Sequence, residues 1–243
     1  MPALSLSTQR LSRGDPLPMA DALALVAAAR RLQADLHNGA AGQPLRGKNL
    51  ALLLGGAGGA ETSALHEAAQ ELGARVAEVR FAEPPGTRPR DGVRQLARML
   101  GRLYDAVDCA ALPPPAVREI EQEAGVPVYD GLALDDHPAR ALADLMTLDE
   151  LRRAQTFSSS ILFLGDARTM RARVFLSLAH ELGFEVRFGR PAGPASAETA
   201  FVVDATHPRW TLHAPAGPLG DTLRSAMHRR VMQAVLIDSL AGA

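Results

Sequence analysis

Apolar positions along the chain fall into two kinds of block, short unbroken runs and longer stretches with apolar residues three and four apart, and the two kinds alternate. A buried parallel strand shows the first pattern and a helix the second, so strands and helices are expected to alternate too. Met19–His37 reads as a helix with Leu23, Val26, Ala27 and Leu32 on one side, ended by Asn38 and Gly39. Residues 50–54 read as a strand, 55–62 as a glycine-rich turn, and 63–72 as a helix stopped at Gly73. A strand over 75–81, a Pro- and Arg-rich loop over 83–90 and a helix over 91–102 come next. They are followed by a strand over 106–110, prolines at 113–115, a helix over 116–124 and a short strand over 126–129. A second block starts at Ser160, with a strand over 161–164, a turn at Gly165-Asp166, a helix over 171–181 and a strand over 185–188. A linker over 190–198, a strand over 201–204, an irregular stretch to Gly220 and a closing helix over 222–240 complete it. The pattern predicts an α/β protein with parallel sheets covered on both faces, without internal repeats, preceded by an aperiodic arm over residues 1–18.

Between the blocks lies the stretch Asp135-Asp136-His137-Pro138, followed by a helical pattern. Asp136 or His137 is suited to the cap position and Pro138 to the first turn, where its missing N–H costs nothing. Leu142, Leu145 and Met146 form a stripe, with Asp149 marking its edge. His137 is therefore expected at a helix N-terminus, where backbone N–H groups and the dipole favour an anion.

Composition narrows the function classes. A length of 243 residues with 47% hydrophobic content suffices for one large or two small domains. A net charge of −1 offers no footprint for nucleic acid, and no apolar run is long enough to span a bilayer. Residues 1–18 lack a basic cluster followed by an apolar block, so no secretory signal is expected. A single cysteine, Cys109, precludes an internal disulfide framework and fits a reducing cytoplasm; it reads as a buried strand residue. With 4% aromatics, packing is expected to rely on small and aliphatic side chains. No histidine pair has metal-ligand spacing. The Gly55–Thr62 segment is neither a Walker motif nor a good dinucleotide fingerprint. It reads as a turn opening a helix, with phosphate binding through backbone N–H groups as the alternative.

Val126-Pro127-Val128-Tyr129-Asp130-Gly131-Leu132, then His137-Pro138 and Leu142-Ala143-Asp144-Leu145-Met146-Thr147, resembles the aspartate/ornithine carbamoyltransferase family. Its ornithine members carry V-P-V-x-N-G-L … H-P-x-Q-x-L-A-D-L-x-T in this place. Leu45-Arg46-Gly47-Lys48-Asn49-Leu50-Ala51, Gly101-Arg102-Leu103-Tyr104-Asp105-Ala106 and Gly165-Asp166-Ala167-Arg168 match in the family's order, from about residue 19 to 191. The resemblance implies two parallel-sheet α/β domains of the transcarbamylase type. Residues 19–150 would form the carbamoyl-phosphate domain and 151–220 a reduced amino-acid domain, with 221–243 a helix packing back on the first. Family chains are longer than this one, and most of the shortfall is expected between residues 191 and 201.

The same resemblance locates the expected site. Carbamoyl transfer holds a dianionic phosphate with bidentate cations and stabilises charge on a carbonyl oxygen; the family uses no metal, and no cofactor is implied. Where the family has its S-T-R-T-R loop, this chain has Gly58, Gly59, Ala60, Glu61 and Thr62, with no arginine and an added carboxylate. The family arginine at the end of the third strand aligns with Ala110. His137 is kept, and the glutamine of H-P-x-Q is replaced by Arg140, read as an ordinary surface arginine or as a cation restored from another direction. Arg90 keeps the cation that a neighbouring subunit supplies in the family. On the amino-acid side Asp166 is matched, Thr169 and Met170 stand where asparagine is expected, D-x-x-x-S-M-G is not recognisable, and His213 is a remnant of H-C-L-P.

Three readings follow. The first is a catalytically eroded transcarbamylase-like protein of the cytoplasm that binds a small anion, an amino acid or another chain, as a homo-oligomer (a trimer by resemblance) or beside an intact relative. The second is an active carbamoyltransferase of altered specificity using His137, Arg140, Arg90 and Arg102. The third is a nucleotide-binding module, for which Glu78 lies near the required offset from Gly58.

Overall fold

Two sheets organise the chain in the computed structural model, which describes residues 13, 16–54, 60–80, 89–155, 159–189 and 201–241. The order is α1 (Met19–His37), β1 (Asn49–Leu54), α2 (Ala60–Glu71), β2 (Arg75–Arg80), α3 (Pro89–Leu103), β3 (Ala106–Asp108), α4 (Pro114–Glu123), β4 (Val128–Tyr129) and α5 (Pro138–Gln155). Then come β5 (Ser160–Gly165), α6 (Met170–Glu181), β6 (Glu185–Phe188), β7 (Phe201–Ala205), β8 (Thr211–Ala214), β9 (Gly217–Pro218) and α7 (Asp221–Leu240). The contacts divide into two units: one contains Arg31–Leu134 and the chain from Met232 onward, the other Arg13–Arg30 and Asp135–Val231. The expected arm over 1–18 and linker over 190–198 lie almost wholly outside the described residues.

The first unit is built on a parallel sheet in the order β2-β1-β3-β4. Its central strand β1 buries four consecutive residues, Leu50 to Leu53, as its unbroken apolar run requires. Side chains alternate across the sheet. Ala51 and Leu53 join Val107 and Val128 in a core with Val93, Leu96, Ala97 and Leu100 of α3 and Val117 and Ile120 of α4. Arg94–Glu119 and Arg98–Glu123 ion pairs link the outer sides of these two helices. The end of α7 closes the unit: Gln233 Nε2 donates to Ala68 O at 3.2 Å and to Glu71 at 2.8 Å, and Tyr129 bonds Ser239.

The second unit carries a mixed sheet, β6-β5-β7-β8-β9. β5 pairs in parallel with β6 and β7, whereas β7, β8 and β9 run antiparallel. Part of the stretch to Gly220 expected to be irregular is therefore strand. β8 and β9 are only four and two residues long, too short for periodicity to reveal. This core is aromatic: Trp210 lies edge-on to Phe163 and Phe175 at 5.6 and 5.7 Å, and Phe184 meets Phe201 at 6.3 Å. The scarce aromatics are thus concentrated in one unit, and small and aliphatic packing describes the other.

Two helices depart from their expected faces. On α1 the buried positions are Ala22, Leu25, Val26 and Ala29, while Leu23 and Ala27 face outward. Spacing fixes a stripe but not which of two overlapping stripes is inside. α5 has no polar face over residues 138–149: every residue there is buried, including Asp144 and Asp149. Asp149 is not an edge residue but the partner of Arg30, Arg152 and Arg153. α5 also groups with the second unit, whereas the sequence reading set the boundary at residue 150.

Gly101 is where α3 crosses α4. A Cβ there would lie 1.8 Å from the carbonyl oxygen of Ala124. Overpacking of this kind against backbone costs about 1–3 kcal/mol or more. Gly101→Ala is expected to lower the urea midpoint correspondingly with an unchanged m-value. Retention of wild-type stability would show that the two helices are not in this contact.

Candidate functional site

In an open α/β sheet, ligands bind outside the carboxyl ends of strands where the strand order reverses. In the first unit that point lies between β1 and β3, which are followed by residues 55–59, outside the described residues, and by residues 109–113. Gly58 and Gly59 lie outside the described residues. Glu61 and Thr62 fall in the first turn of α2 and Arg90 in that of α3, with their side chains outside the described residues.

The described part of this edge is acidic. Asp108, the last residue of β3, is buried and accepts the backbone N–H groups of Gly131 and Leu132, both at 3.1 Å. Gly131 adopts a φ of 74°, and Cβ at this position would collide with Leu134. Asp108 thus shapes the turn that follows β4. Burial pushes its carboxyl up to about 6, against the opposing pull of the Leu132, Ala110 and Gly131 N–H groups, with Asp130 adding repulsion. Cys109 is fully buried and its thiol is pushed upward by desolvation, which keeps it protonated and supports the reading of an inert core residue. Ala110 offers no cation.

In the second unit His137 stands immediately before α5 with no exposed surface. Its Nδ1 accepts the N–H of Ala139 at 3.1 Å, and its carbonyl accepts that of Arg140 at 2.9 Å. The ring therefore satisfies one of its own helix's unpaired donors, as a capping residue does. Arg140 is not a surface arginine. It is 8% exposed, its Nη1 lies 3.2 Å from His228 Nδ1, and its Nε lies 3.6 Å from Asp135 and 3.8 Å from Asp144. The guanidinium is held inside a cluster of its own unit because α5 is buried on every side there.

The second sheet also reverses order, between β5 and β7, and their carboxyl ends carry residues 166–169 and 206–210. Gly165 has a φ of 128°, and a Cβ there would lie 2.6 Å from the carbonyl of Ala205, so the two strand ends are in close approach. Asp166 is exposed and pairs with Arg168 Nε at 3.0 Å; the hydrogen bonds from that side chain and its backbone N–H hold the carboxyl below its usual range. Thr169 caps α6 by accepting the N–H of Ala172. Asp204 accepts the N–H and hydroxyl of Thr206, which keeps its carboxyl low. His213 lies on β8, paired in register with Val202 and close enough to Asp204 to favour its ionised form. Among the described residues no group of three His, Cys, Asp or Glu side chains is placed to hold a metal. No helix described is long and apolar enough to cross a membrane. The sequence reading missed Asp144, Arg171 and Arg224, all buried and polar, although Asp144 lies within a quoted motif, and reached the buried His228 only as a loose match, with Met227, to an Asn-Arg pair of the family's closing helix.

These features coincide with known proteins. A sequence profile described as aspartate/ornithine carbamoyltransferase, carbamoyl-P binding domain, matches residues 11–150. The ornithine carbamoyltransferase of Cutibacterium acnes is 34% identical over 154 residues, covering 62% of this chain and 45% of that protein. The catabolic ornithine carbamoyltransferase of Burkholderia mallei is 33% identical over 165 residues, covering 67% and 48%. The chain therefore spans about half the length of the curated relatives it matches. Among solved structures, the ornithine carbamoyltransferase of Burkholderia thailandensis superposes with a TM-score of 0.62 at 18% identity, covering 95% of this chain and 97% of that one. The aspartate transcarbamoylase of Trypanosoma cruzi does so at 0.62 and 16%, covering 98% and 99%; at such identities the likeness shows the fold alone. Fold and profile together define a transcarbamylase-type α/β protein. The chain belongs to the aspartate/ornithine carbamoyltransferase family.

Asp108 makes stability at the first edge depend on pH. A carboxyl whose folded pKa is raised from 3.8 to about 6 stabilises the fold fully below the unfolded value, and that contribution is lost as pH rises through about 6. The change is on the order of 2–3 kcal/mol. Asp108→Asn is expected to remove it, so the gap in unfolding free energy between wild type and variant should shift between pH 4 and 8 in the variant's favour. A gap independent of pH over that range would show that Asp108 does not titrate in this way.

Proposed function

We propose that this chain is a carbamoyltransferase-family protein that binds a small ligand without transferring a carbamoyl group. The ligand is an amino acid or small anion, held at the carboxyl edge of the second sheet, beside residues 166–169 and 206–210. The observation that carries this reading is the state of Arg140. It stands where the family motif has glutamine and was the nearest cation to His137 able to replace the arginines absent from 58–62 and 110. Its guanidinium is instead engaged with Asp135, Asp144 and His228. A phosphate dianion needs charge-assisted, preferably bidentate donors, and Ala110 and the buried Asp108 supply none.

The reading extends to assembly: the protein forms homo-oligomers or associates with an intact relative. Size-exclusion chromatography with light scattering is expected to show a species larger than one chain, and a strict monomer that also fails to bind an intact ornithine carbamoyltransferase would dispose of this part.

A second reading, an active carbamoyltransferase of altered specificity, is favoured by the retained His137 and by identity above 30% to ornithine carbamoyltransferases. One pair of measurements separates the two. Calorimetric titration with carbamoyl phosphate, with inorganic phosphate as control, is expected to give no saturable heat at millimolar ligand. Incubation with carbamoyl phosphate and L-ornithine, L-aspartate or other amines is expected to give no ureido product above the uncatalysed rate. Binding tighter than phosphate together with turnover would establish the second reading instead.

A further inference from the structure

One carboxylate in the second unit links the interior of the unit to the edge of its sheet. Asp144, in the middle of α5, is fully buried and uses both oxygens: Oδ2 accepts Arg171 Nη2 at 2.7 Å and Oδ1 accepts Arg224 Nε at 3.0 Å. Both guanidiniums, themselves 4% and 3% exposed, continue to the same short segment between β7 and β8. Arg171 Nη1 donates to the carbonyl of Pro208 at 3.2 Å, and Arg224 Nη1 donates to that of Trp210 at 3.0 Å. Arg171 also stacks on the Trp210 ring, 3.9 Å from its centroid, and the ring in turn sits edge-on to Phe163 and Phe175. One side chain on a buried helix thereby fixes two backbone carbonyls of a segment that begins at the carboxyl end of β7.

Stability alone is a poor account of this arrangement. Buried ion pairs often stabilise no more than apolar residues of the same volume, and what they supply in some systems is geometry. Two fork-shaped donors anchored on one carboxylate fix direction as well as distance, which a hydrophobic contact does not. The segment they fix faces 166–169 across the close approach of Gly165 and Ala205, where the strand order reverses.

We infer that Asp144 is a positioning residue: acting through Arg171 and Arg224, it sets the 206–210 segment against 166–169 and so fixes the shape of the site that takes an amino acid. The inference rests on the reading above that this edge binds an amino acid, and the test separates the two. Trp210 is the single tryptophan of the chain, so its fluorescence reports on this segment alone. In Asp144→Asn, Trp210 emission is expected to move to the red and its quenching by acrylamide to rise several-fold, with the far-ultraviolet circular dichroism unchanged. Affinity for the amino-acid probes L-ornithine and L-aspartate, whichever the wild type binds, is expected to fall at least tenfold. Should Asp144→Asn fail to fold, Arg224→Lys keeps the buried charge and the Arg171 stack while losing the fork, and it carries the same two readouts. Unchanged emission and quenching in a folded variant would overturn the positioning role. Moved fluorescence with undiminished probe binding would overturn its bearing on the site. Moved fluorescence in a protein whose wild type binds neither probe would support the placement of the segment and overturn the amino-acid reading.

Discussion

Helix α5 is enclosed on all sides from its first residue to Asp149, so every charge on it has to be neutralised where it stands. Removing a carboxylate from water costs several kcal/mol, offset only by close, well-directed partners. Asp144 is met by Arg171 and Arg224, and Asp149 by Arg30, Arg152 and Arg153. These partners come from α1, α5, α6 and α7. The requirement to neutralise two buried carboxylates therefore dictates how four helices of the second unit pack and where the segment after β7 is tied down. Leaving either carboxylate without its cations would strand a buried charge, and breaking a buried pair in this way costs about 3–5 kcal/mol, comparable with a large part of a domain's net stability.

The same constraint governs the chemistry open to the chain. Arg140 lies one turn from Asp144 and is drawn into the cluster, with its long side chain buried along α5. Asp144 keeps Arg171 and Arg224 at hydrogen-bond distance without it, but turning the Arg140 guanidinium toward a ligand would forfeit its contacts with Asp135, Asp144 and His228. His137 is committed in a similar way, its Nδ1 spent on the first turn of the helix. What the buried helix gains in order it withdraws from the site.

Most elements were legible from the sequence because their signals are local. Continuous runs marked β1 and β7, glycines marked the ends of α1 and α2, and the prolines at 113–115 marked the start of α4. The antiparallel β8 and β9 were not legible, being held by pairing, β8 to β7 and β9 to β8, rather than by their own residues. The site was less legible than the fold for a physical reason. Whether Arg140 faces water or Asp144, and whether Asp149 marks an edge or a core, depends on what covers the outer side of α5, and spacing along one helix cannot report its neighbours. Leu23 and Ala27 on α1 were misplaced for the same reason. Arg171 and Arg224 carried no motif, and their meaning comes from two carbonyls between β7 and β8 that only the folded backbone brings within reach.

Membership of the family therefore constrains the scaffold more tightly than the reaction. At the carboxyl edge of the first sheet the buried Asp108 places a carboxyl, with that of Asp130 close enough to repel it. Burial pushes the Asp108 carboxyl up to about 6, and in its ionised form its charge opposes the approach of a dianion where low dielectric amplifies the repulsion. The N–H groups of Gly131 and Leu132, which could otherwise turn toward an anion, are already donated to Asp108. Among the described residues, this part of the edge therefore spends its N–H groups on an internal carboxylate and is shaped to hold a turn.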